Sequence, residues 1–239
     1  MIFLYILSAL IGLIVAIALF LGISALFIDP KKEYLDYNPF YRRVCLISAW
    51  LVVKLLRIKL TVSGMEKVPA KGRFLLVGNH RSNFDPVLTF HIFNKYTLGF
   101  VSKPSNFKIP FYGRFVRRCR FIPIDRENPR NALKTINHAA EIISGDVASM
   151  CVYPEGTRSK SGELLEFHNG VFKIAQKAGV PIVVAAIDGT EKIHESFPKK
   201  RSQVSFDIID VIPAEEVKAL RSDEIGTRVK TVLLEKLGK

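Results

Sequence analysis

Residues 74–86 read FLLVGNHRSNFDP, a short apolar run followed directly by polar residues. An apolar run of this length that ends at a glycine is typical of a strand buried on both faces of a sheet. Five similar runs lie further along the chain, at residues 98–101, 121–124, 149–153, 182–187 and 204–212. The sequence therefore predicts a sheet of short, mostly buried strands.

Helical patterns separate these strands. The clearest covers residues 129–144, where Asn128 is a good N-cap and Gly145 follows the last apolar position. Two more are predicted over residues 170–178 and 214–237. Alternation of strands and helices implies an α/β domain with a mixed, largely parallel sheet flanked by helices. In such sheets the functional residues lie on loops just beyond the strand ends.

A long apolar segment precedes the α/β pattern. Residues 2–28 contain no charged side chain. As a helix they would be about 40 Å long, whereas the hydrocarbon core of a membrane is about 30 Å thick. A secretory signal peptide, the alternative interpretation, has a shorter apolar part behind a basic start. We therefore predict a retained transmembrane helix over residues 2–28.

Basic residues flank this segment on one side only. Lys31, Lys32, Arg42 and Arg43 follow it. By the positive-inside rule they place the rest of the chain in the cytoplasm. The sequence thus predicts a single-pass membrane protein with its globular domain on the cytoplasmic side.

The next apolar segment covers residues 44–58. It is too short to cross a membrane comfortably, it is interrupted by Lys54, and it carries Trp50. This pattern favours an interfacial helix lying on the membrane, while a buried core helix and a second, tilted span remain alternatives. Residues 1–58 are therefore predicted to form a membrane anchor and residues 59–239 a globular domain.

The chain of 239 residues is strongly basic, with 35 basic against 22 acidic side chains and a formal net charge of +13. Because 49% of its residues are hydrophobic, it is not a disordered polycation. A basic globular protein favours a polyanionic partner such as nucleic acid, an anionic membrane surface or an acidic substrate.

Many basic residues lie within residues 103–130. Phe107, Phe111 and Phe115 recur there every four residues, which predicts a helix with one aromatic and one basic face. The basic face fits either a membrane-facing surface or a solvated surface. Nucleic-acid binding is disfavoured because aromatic side chains at helical spacing usually pack inward.

His80 and Asp85 form the first candidate site. Both follow the strand predicted over residues 74–78. A histidine suits general-base catalysis near neutral pH, and a carboxylate on its second ring nitrogen would fix its tautomer. The two side chains would point about 140° apart on one continuous helix, so they can meet only across a turn. Asp85, with Pro86 after it, is equally typical of a helix N-cap, and both roles remain open.

Residues 153–159, with the sequence YPEGTRS, form the second candidate site and also follow an apolar strand. Gly156 permits a sharp loop. The planar guanidinium of Arg158 suits a phosphate group, with hydroxyls from Thr157 and Ser159 beside it. A surface turn with a solvated arginine is the alternative.

Other catalytic and metal-binding patterns are absent from the sequence. There is no Gly-x-Ser-x-Gly, no Walker-type phosphate loop and no Gly-x-Gly-x-x-Gly. The remaining histidines fit no zinc-binding pattern, and Cys45, Cys119 and Cys151 have neither metal nor disulfide spacing. We therefore predict no zinc site, and we expect the three cysteines to be reduced and structural.

Taken together, these segments resemble the glycerolipid acyltransferase family, which includes the 1-acyl-glycerol-3-phosphate acyltransferases. The match covers about residues 60–190, with its motifs in the order that the family has. They are Asn79-His80-x4-Asp85, Lys103 with residues 108–113 (KIPFYG), residues 123–126 (PIDR), residues 153–159, and Phe167 and Gly170 with residues 178–183 (AGVPIV). Any one of these motifs is weak, whereas the ordered set is highly specific.

The resemblance implies a mechanism and a set of site residues. His80 would take the proton from the acceptor hydroxyl, whose oxygen attacks an acyl thioester of coenzyme A or acyl carrier protein, while Asp85 orients His80. The oxyanion formed in this attack would be stabilised by Lys103 or by backbone amides near His80. Arg158 would bind the acceptor phosphate. Three neighbours of Arg158 would shape that substrate-binding loop: Glu155, Gly156 and Thr157.

The implied reaction is transfer of a fatty acyl group to the sn-2 hydroxyl of 1-acyl-glycerol-3-phosphate, which gives phosphatidic acid. The partners are then the acyl thioester, a lysophospholipid and the membrane, with no nucleic acid, no cofactor and no metal, and residues 59–239 form the catalytic domain. Three alternatives remain open: an acyltransferase for another lysophospholipid, a lipid or thioester hydrolase, and a non-catalytic lipid-binding adaptor.

Overall fold

The computed structural model describes residues 1–238, except the side chain of Phe3. Within this range the chain alternates between strands and helices. The strands are β1 (Lys59–Ser63), β2 (Leu75–Gly78), β3 (Leu98–Ser102), β4 (Phe121–Pro123), β5 (Ser149–Val152), β6 (Ile182–Asp188) and β7 (Gln203–Ile212). The helices are α1 (Ile2–Leu26), α2 (Pro39–Leu55), α3 (Phe84–Ile92), α4 (Tyr112–Arg118), α5 (Pro129–Ser144), α6 (Lys173–Ala178), α7 (Ile193–Ser196), α8 (Ala214–Ala219) and α9 (Ser222–Leu237).

The strands form one sheet in the order β1-β7-β6-β2-β5-β3-β4. Neighbouring strands run parallel except β6 and β7, which are antiparallel. The predicted mixed, largely parallel sheet flanked by helices is therefore confirmed, and each strand predicted from an apolar run is present. The remaining strand, β1, lies at the sheet edge and is mostly exposed, so it lacks the apolar run that indicates the others.

Helices cover both faces of the sheet. One layer contains α5, α6, α8 and α9, and the other contains α3 and α4. Side chains alternate between the two layers along each strand: Leu75 and Val77 join the first core, whereas Phe74 and Leu76 join the second. Because both faces are covered, the central strands β2 and β6 are almost continuous apolar runs.

The first helix, α1, is an exposed apolar helix of 25 residues. It is long and apolar enough to cross a membrane by length and composition, and it ends at Leu26 rather than at the predicted residue 28. Nη1 of Arg114 donates hydrogen bonds to the carbonyl oxygens of Ala25 and Ile28, at 3.1 and 3.0 Å. The Ala25 carbonyl oxygen, in the last turn of α1, also accepts the backbone N–H of Ile28 at 3.1 Å. Arg114 thereby fastens the end of α1 to the globular domain.

The second helix, α2, begins and ends earlier than the predicted interval of 44–58, which corrects that prediction. It starts at Pro39 because Oδ1 of Asn38 accepts the backbone N–H of Tyr41 at 3.2 Å. A proline at the first helical position behind an asparagine cap is a standard helix start. The polar cap, rather than the first apolar residue, therefore marks where this helix begins.

The two sides of α2 differ in burial. Ala49 and Val53 are buried on the side that faces α3 and α4. Ile47, Trp50 and Leu51 are 51%, 47% and 40% exposed. The helix thus carries a packed face and an exposed apolar face, and its position on a membrane stays a prediction.

The predicted helix over residues 214–237 is interrupted between α8 and α9. Leu220 and Arg221 have extended backbone, with ψ values of 152° and 155°. The carbonyl oxygen of Leu220 accepts Nε2 of Gln176 at 2.7 Å, and the N–H of Arg221 donates to Glu224 at 2.7 Å. These two bonds replace the helical ones at the break, so the prediction of one continuous helix is wrong.

The aromatic repeat of Phe107, Phe111 and Phe115 does not lie on one helix. Phe107 belongs to a 3₁₀ turn over residues 104–108, and Phe111 has a positive φ of 59° just before α4. Ile109 precedes a proline, which disfavours helical backbone. As a result Phe107 is buried while Phe111 is 57% exposed. The predicted single aromatic face is therefore wrong.

Candidate active site

The two candidate segments meet at the carboxyl-terminal ends of the parallel strands. Strands β2 to β6 all run parallel, so their carboxyl ends lie along the same edge. His80 follows β2, residues 153–159 follow β5, and Thr190 lies just after β6. Loops beyond parallel strands are the usual place for functional side chains.

His80 and Asp85 are in direct contact because the chain turns between them. Nδ1 of His80 lies 2.7 Å from Oδ2 of Asp85, and the same oxygen accepts the backbone N–H groups of Arg81 and Ser82 at 2.7 Å each. A carboxylate only accepts, so Nδ1 carries the hydrogen in this pairing and Nε2 is the proton acceptor. Nε2 has no hydrogen-bond partner within residues 1–238, and the His80 side chain is 18% exposed.

Asp85 does not cap a helix in the way that its sequence position suggested. It lies in the first turn of α3, and its Oδ2 accepts amides from the loop before the helix rather than from the helix itself. Its other oxygen, Oδ1, accepts the hydroxyl of Thr190 at 2.6 Å. The Asp85 side chain is fully buried. Hydrogen bonds to a buried charge are strong, so this set fixes the carboxylate beside His80.

Replacing Thr190 with valine is expected to lower the free energy of unfolding by about 1–3 kcal/mol. Thr190 is fully buried, and it is the donor to Oδ1 of Asp85, so valine keeps the shape and leaves that oxygen unpaired. Denaturant unfolding of the full chain in detergent micelles measures the change. Thr190→Ser keeps the hydroxyl and should lose clearly less stability. Equal losses in the two variants would contradict a role for the hydroxyl.

The loop of residues 153–159 holds the backbone of His80 on both sides. Oε1 of Glu155 accepts the N–H of His80 at 2.6 Å, and the N–H of Ser159 donates to the carbonyl oxygen of His80 at 2.8 Å. Oε2 of Glu155 accepts the N–H of Leu165 at 3.0 Å. Burial raises the pKa of the Glu155 carboxyl, and its two amide hydrogen bonds oppose that rise. The Glu155 side chain therefore points into the protein, where its two accepted hydrogen bonds hold the loop in place.

Tyr153 forms the wall beside the imidazole. The Tyr153 and His80 rings are stacked, with centroids 4.4 Å apart and an interplanar angle of 13°. The tyrosine hydroxyl lies 3.1 Å from Oγ1 of Thr89. Burial raises the pKa of Tyr153 well above its ordinary value, so the phenol stays protonated. The ring restricts how far His80 can rotate away from Asp85.

Three of the side chains predicted to bind substrate are exposed, whereas Ser159, whose hydroxyl was predicted beside Arg158, is buried. Thr157 and Arg158 lie at the surface of the loop, and Lys103 is exposed just after β3. Within residues 1–238 none of these side chains has a hydrogen bond or an ion pair. Gly156 has a φ of +69°, and a Cβ added there would lie 2.7 Å from the His168 ring, so glycine is required by both backbone and space. Two cations, Arg158 on this loop and Lys103 after β3, are therefore available to an anionic ligand.

Two side chains tie this site across the sheet, and sequence reasoning missed both. The amide of Asn79 exchanges hydrogen bonds of 2.7 and 2.8 Å with the backbone of Ile187. The buried guanidinium of Arg81 pairs with Asp188 and donates to the carbonyl oxygen of Gly162 at 3.1 Å. In the sequence, only their position next to His80 indicated a role for Asn79 and Arg81. Their partners lie on β6 and on a distant loop, so no local pattern predicts these contacts. The support given by Tyr153 and Thr190 was missed for the same reason.

An apolar cavity of about 550 Å³ lies on the α3 side of the site. Residues of α1, α2, α3 and α4 line it, including Pro86 and Val87 directly after Asp85. Pockets of this size and character are suited to small apolar ligands. The cavity is therefore large and apolar enough for a hydrocarbon chain, and two of its lining residues directly follow Asp85 in sequence.

The cysteine side chains are free thiols at Cys45, Cys119 and Cys151. In the part of the chain that the structure describes, no group of three or more His, Cys, Asp or Glu side chains is placed to hold a metal ion. None of these three cysteines forms a disulfide in the structure.

Sequence comparisons identify relatives of this chain. A family model described as "Acyltransferase" matches residues 59–188. The chain is 31% identical over 185 residues to a chloroplastic 1-acyl-sn-glycerol-3-phosphate acyltransferase of Arabidopsis thaliana, a match that covers 72% of this chain and 50% of that protein. It is 36% identical over 118 residues to a 1-acyl-sn-glycerol-3-phosphate acyltransferase of Haemophilus influenzae, covering 49% of each chain. The chain spans about half the length of the curated relatives it matches.

A solved structure has the same fold. The crystal structure of a 1-acyl-sn-glycerophosphate acyltransferase from Thermotoga maritima matches with a TM-score of 0.68 at 24% identity. The match covers 82% of this chain and 78% of that one.

The family match includes the site as well as the fold. It runs from the start of β1 to the end of β6. It contains His80 with Asp85 and the loop of residues 153–159, and it covers more than half of the 239 residues. With fold, sequence and site geometry in agreement, the chain belongs to the acyltransferase family.

Proposed function

We propose that this chain transfers a fatty acyl group from a thioester of coenzyme A or acyl carrier protein to the sn-2 hydroxyl of 1-acyl-glycerol-3-phosphate, giving phosphatidic acid. The observation that carries the proposal is the contact between His80 and Asp85, which leaves Nε2 of His80 without a hydrogen-bond partner in the described residues and able to accept a proton. The exposed cations Lys103 and Arg158 lie on the same edge. The printed names of the Arabidopsis and Haemophilus relatives support the choice of acceptor.

The proposed reaction uses His80 twice. Nε2 of His80 accepts the proton of the sn-2 hydroxyl as that oxygen bonds to the thioester carbonyl carbon. When the tetrahedral intermediate collapses, the carbon–sulfur bond breaks and the proton on Nε2 passes to the departing sulfur. Asp85 keeps Nδ1 protonated and stabilises the imidazolium between the two steps.

The oxyanion of the intermediate needs hydrogen-bond donors. The backbone N–H of His80 already donates to Glu155, and those of Arg81 and Ser82 donate to Asp85. These three amides are therefore occupied. The sequence suggested either backbone amides near His80 or Lys103 as the oxyanion donor, and we propose Lys103.

Replacing Arg158 with glutamine is expected to raise KM for the acceptor by about 10- to 100-fold, since a hydrogen bond to a charged group contributes about 1.5–3 kcal/mol. In the proposal this bond is made equally in the ground and transition states, so kcat should change little. Steady-state kinetics with varied acceptor measures both constants. Arg130→Gln, which removes another exposed guanidinium, is the matched control. An unchanged acceptor KM in Arg158→Gln would remove Arg158 from the phosphate site.

The acyl chain of the thioester is proposed to occupy the apolar cavity between α1, α2, α3 and α4. Its lining includes Pro86 and Val87, which follow Asp85 in sequence, and each buried methylene contributes about 0.8 kcal/mol. A series of thioesters of increasing chain length should therefore show kcat/KM rising and then falling once the cavity is filled. A flat profile would remove the cavity from the acyl site.

We also propose that residues 1–58 anchor the enzyme in a single pass, with residues 59–239 as the catalytic domain in the cytoplasm. The exposed apolar surface of α1 and the basic residues after it support this orientation. The exposed face of α2, with Ile47 and Trp50, supports its place on the membrane surface. Protease added to sealed inside-out membrane vesicles should digest the catalytic domain. Protection there, with digestion in right-side-out vesicles, would reverse the orientation.

The decisive assay for the function uses the purified full chain with a panel of lysophospholipids and both thioester donors, with products identified by mass. Phosphatidic acid from 1-acyl-glycerol-3-phosphate is the expected product. A different diacyl lipid would change the acceptor. Free fatty acid as the sole product would indicate a hydrolase, and lipid binding without turnover would indicate an adaptor.

A further inference from the structure

A second cavity, of about 500 Å³, lies where α1 ends against the 3₁₀ turn and α4. Its lining includes three basic side chains, Lys108, Arg114 and Arg117, and no acidic one among the residues that the structure describes. Arg158 and Lys103, the proposed acceptor-binding cations, do not line it. The cations that line this cavity are therefore different from the two that are proposed to bind the substrates, although Pro104, directly after Lys103, belongs to its lining.

Arg114 fixes the depth of this cavity relative to α1. Its Nη1 donates to the carbonyl oxygens of Ala25 and Ile28, at the carboxyl end of that helix. Under the proposed membrane span of α1, on which this inference rests, that end lies at the boundary between hydrocarbon and water. Phospholipid headgroups occupy the same depth.

The other two cations have no counter-charge in residues 1–238. Lys108 is exposed and has no hydrogen bond or ion pair. The guanidinium of Arg117 lies 4.7 Å from the centroid of the Phe107 ring, and its Nε is buried without a hydrogen-bond partner. A buried donor without a partner is unfavourable in a folded protein. An anion entering the cavity would supply the missing acceptor.

Apolar side chains at the rim distinguish a lipid from a soluble anion. Ile109 and Phe111 line the cavity and are 47% and 57% exposed. A free phosphate or a nucleotide gains nothing from these side chains, whereas the glycerol and acyl portions of a phospholipid would cover them. Basic and apolar groups side by side at interfacial depth are the pattern of a lipid-headgroup site.

We propose that this cavity binds the headgroup phosphate of an anionic phospholipid that is not the acyl acceptor. Lys108 and Arg117 contact the phosphate, Arg114 joins the site to the end of α1, and Ile109 and Phe111 contact the lipid body. The site would thereby hold the catalytic domain against anionic regions of the membrane.

Thermal unfolding of the full chain in neutral detergent micelles tests the proposal, with short-chain phosphatidylglycerol as the added probe. A ligand that binds the native state raises the unfolding midpoint with its concentration. Each interfacial cation contributes about 1 kcal/mol, which is about a fivefold change in half-saturating concentration. Arg117→Gln should therefore weaken the response about fivefold, and Lys108→Glu, a reversal at an exposed position, about 25-fold. Lys177→Glu, on the exposed side of α6 across the sheet, should leave the response unchanged.

Further ligands and one further variant in the same assay distinguish this cavity from other binding sites on the protein. Short-chain phosphatidylcholine and inorganic phosphate at the same concentration should each give a smaller shift than phosphatidylglycerol. Arg158→Gln should keep the phosphatidylglycerol response, whatever its effect on turnover. The proposal is overturned if Lys108→Glu responds as wild type does, if Arg158→Gln abolishes the response, or if inorganic phosphate matches the lipid. None of these readouts depends on the acyltransfer reaction, so failure here is distinct from failure of the proposed function.

Discussion

Replacing His80 with alanine is expected to lower kcat by about 10²- to 10⁴-fold, the range that a positioned general base contributes. Without the imidazole, no group in the described structure is placed to take the acceptor proton beside the Asp85 carboxylate. The variant should still fold, because the backbone N–H and carbonyl of His80 make the bonds to Glu155 and Ser159. Acyl transfer by the purified variant, with both substrates saturating, measures the loss.

The matched control for this variant is His91→Ala. His91 lies on α3, and its side chain has no hydrogen bond within residues 1–238. That variant should keep wild-type kcat. Near-normal kcat in a folded His80→Ala protein would show that another group is the base, and circular dichroism with thermal unfolding establishes that both variants are folded.

Replacing Asp85 with asparagine is expected to have the second largest effect, a fall in kcat of about 10²- to 10⁴-fold, with little loss of stability. The amide oxygen of asparagine can remain where Oδ2 now accepts from His80, Arg81 and Ser82. Its NH₂ can then face the Thr190 hydroxyl, which can accept as well as donate. The contacts survive, but the negative charge that stabilises the imidazolium is gone.

Two measurements check the Asp85 variant together. Steady-state kcat should fall, and the denaturant midpoint should stay close to that of wild type. The matched control is Asp146→Asn, which also removes one negative charge. Asp146 pairs with Arg73 at the amino-terminal ends of β2 and β5, away from the site, so this variant should keep wild-type kcat. A stable Asp85→Asn enzyme with wild-type kcat would limit Asp85 to a structural role.

The strands were predictable from sequence because the sheet is covered on both faces. Strands covered on both faces are apolar at most positions, so β2 to β6 stand out as runs, and β7 is mostly apolar although it carries Asp207 and Asp210. The same local logic located α5, since Oδ1 of Asn128 accepts the N–H groups of Arg130 and Asn131 as its cap. Elements that depend on distant contacts were missed or misplaced. The break at Leu220 depends in part on Gln176 from another helix, and no local pattern contains that contact.

The site was predictable only in part, for the same physical reason. The spacing of His80 and Asp85 showed that a turn could join them. It could not show that Thr190 would bind Oδ1 of Asp85, because that contact depends on β6 lying next to β2. Glu155 was predicted on a substrate loop from its motif. Its burial follows from two backbone amides that become available only when the loop folds over His80.

The sheet order has a consequence for how this protein is made. β2 lies between β6 and β5, yet both neighbours leave the ribosome after it, since they begin at Ile182 and Ser149. The nascent chain therefore carries its central strand with both edges unpaired while synthesis continues, and such edges favour aggregation. Thr190 is synthesised after every other group that contacts Asp85. The hydrogen bonds that hold the Asp85 carboxylate are thus completed only late in translation.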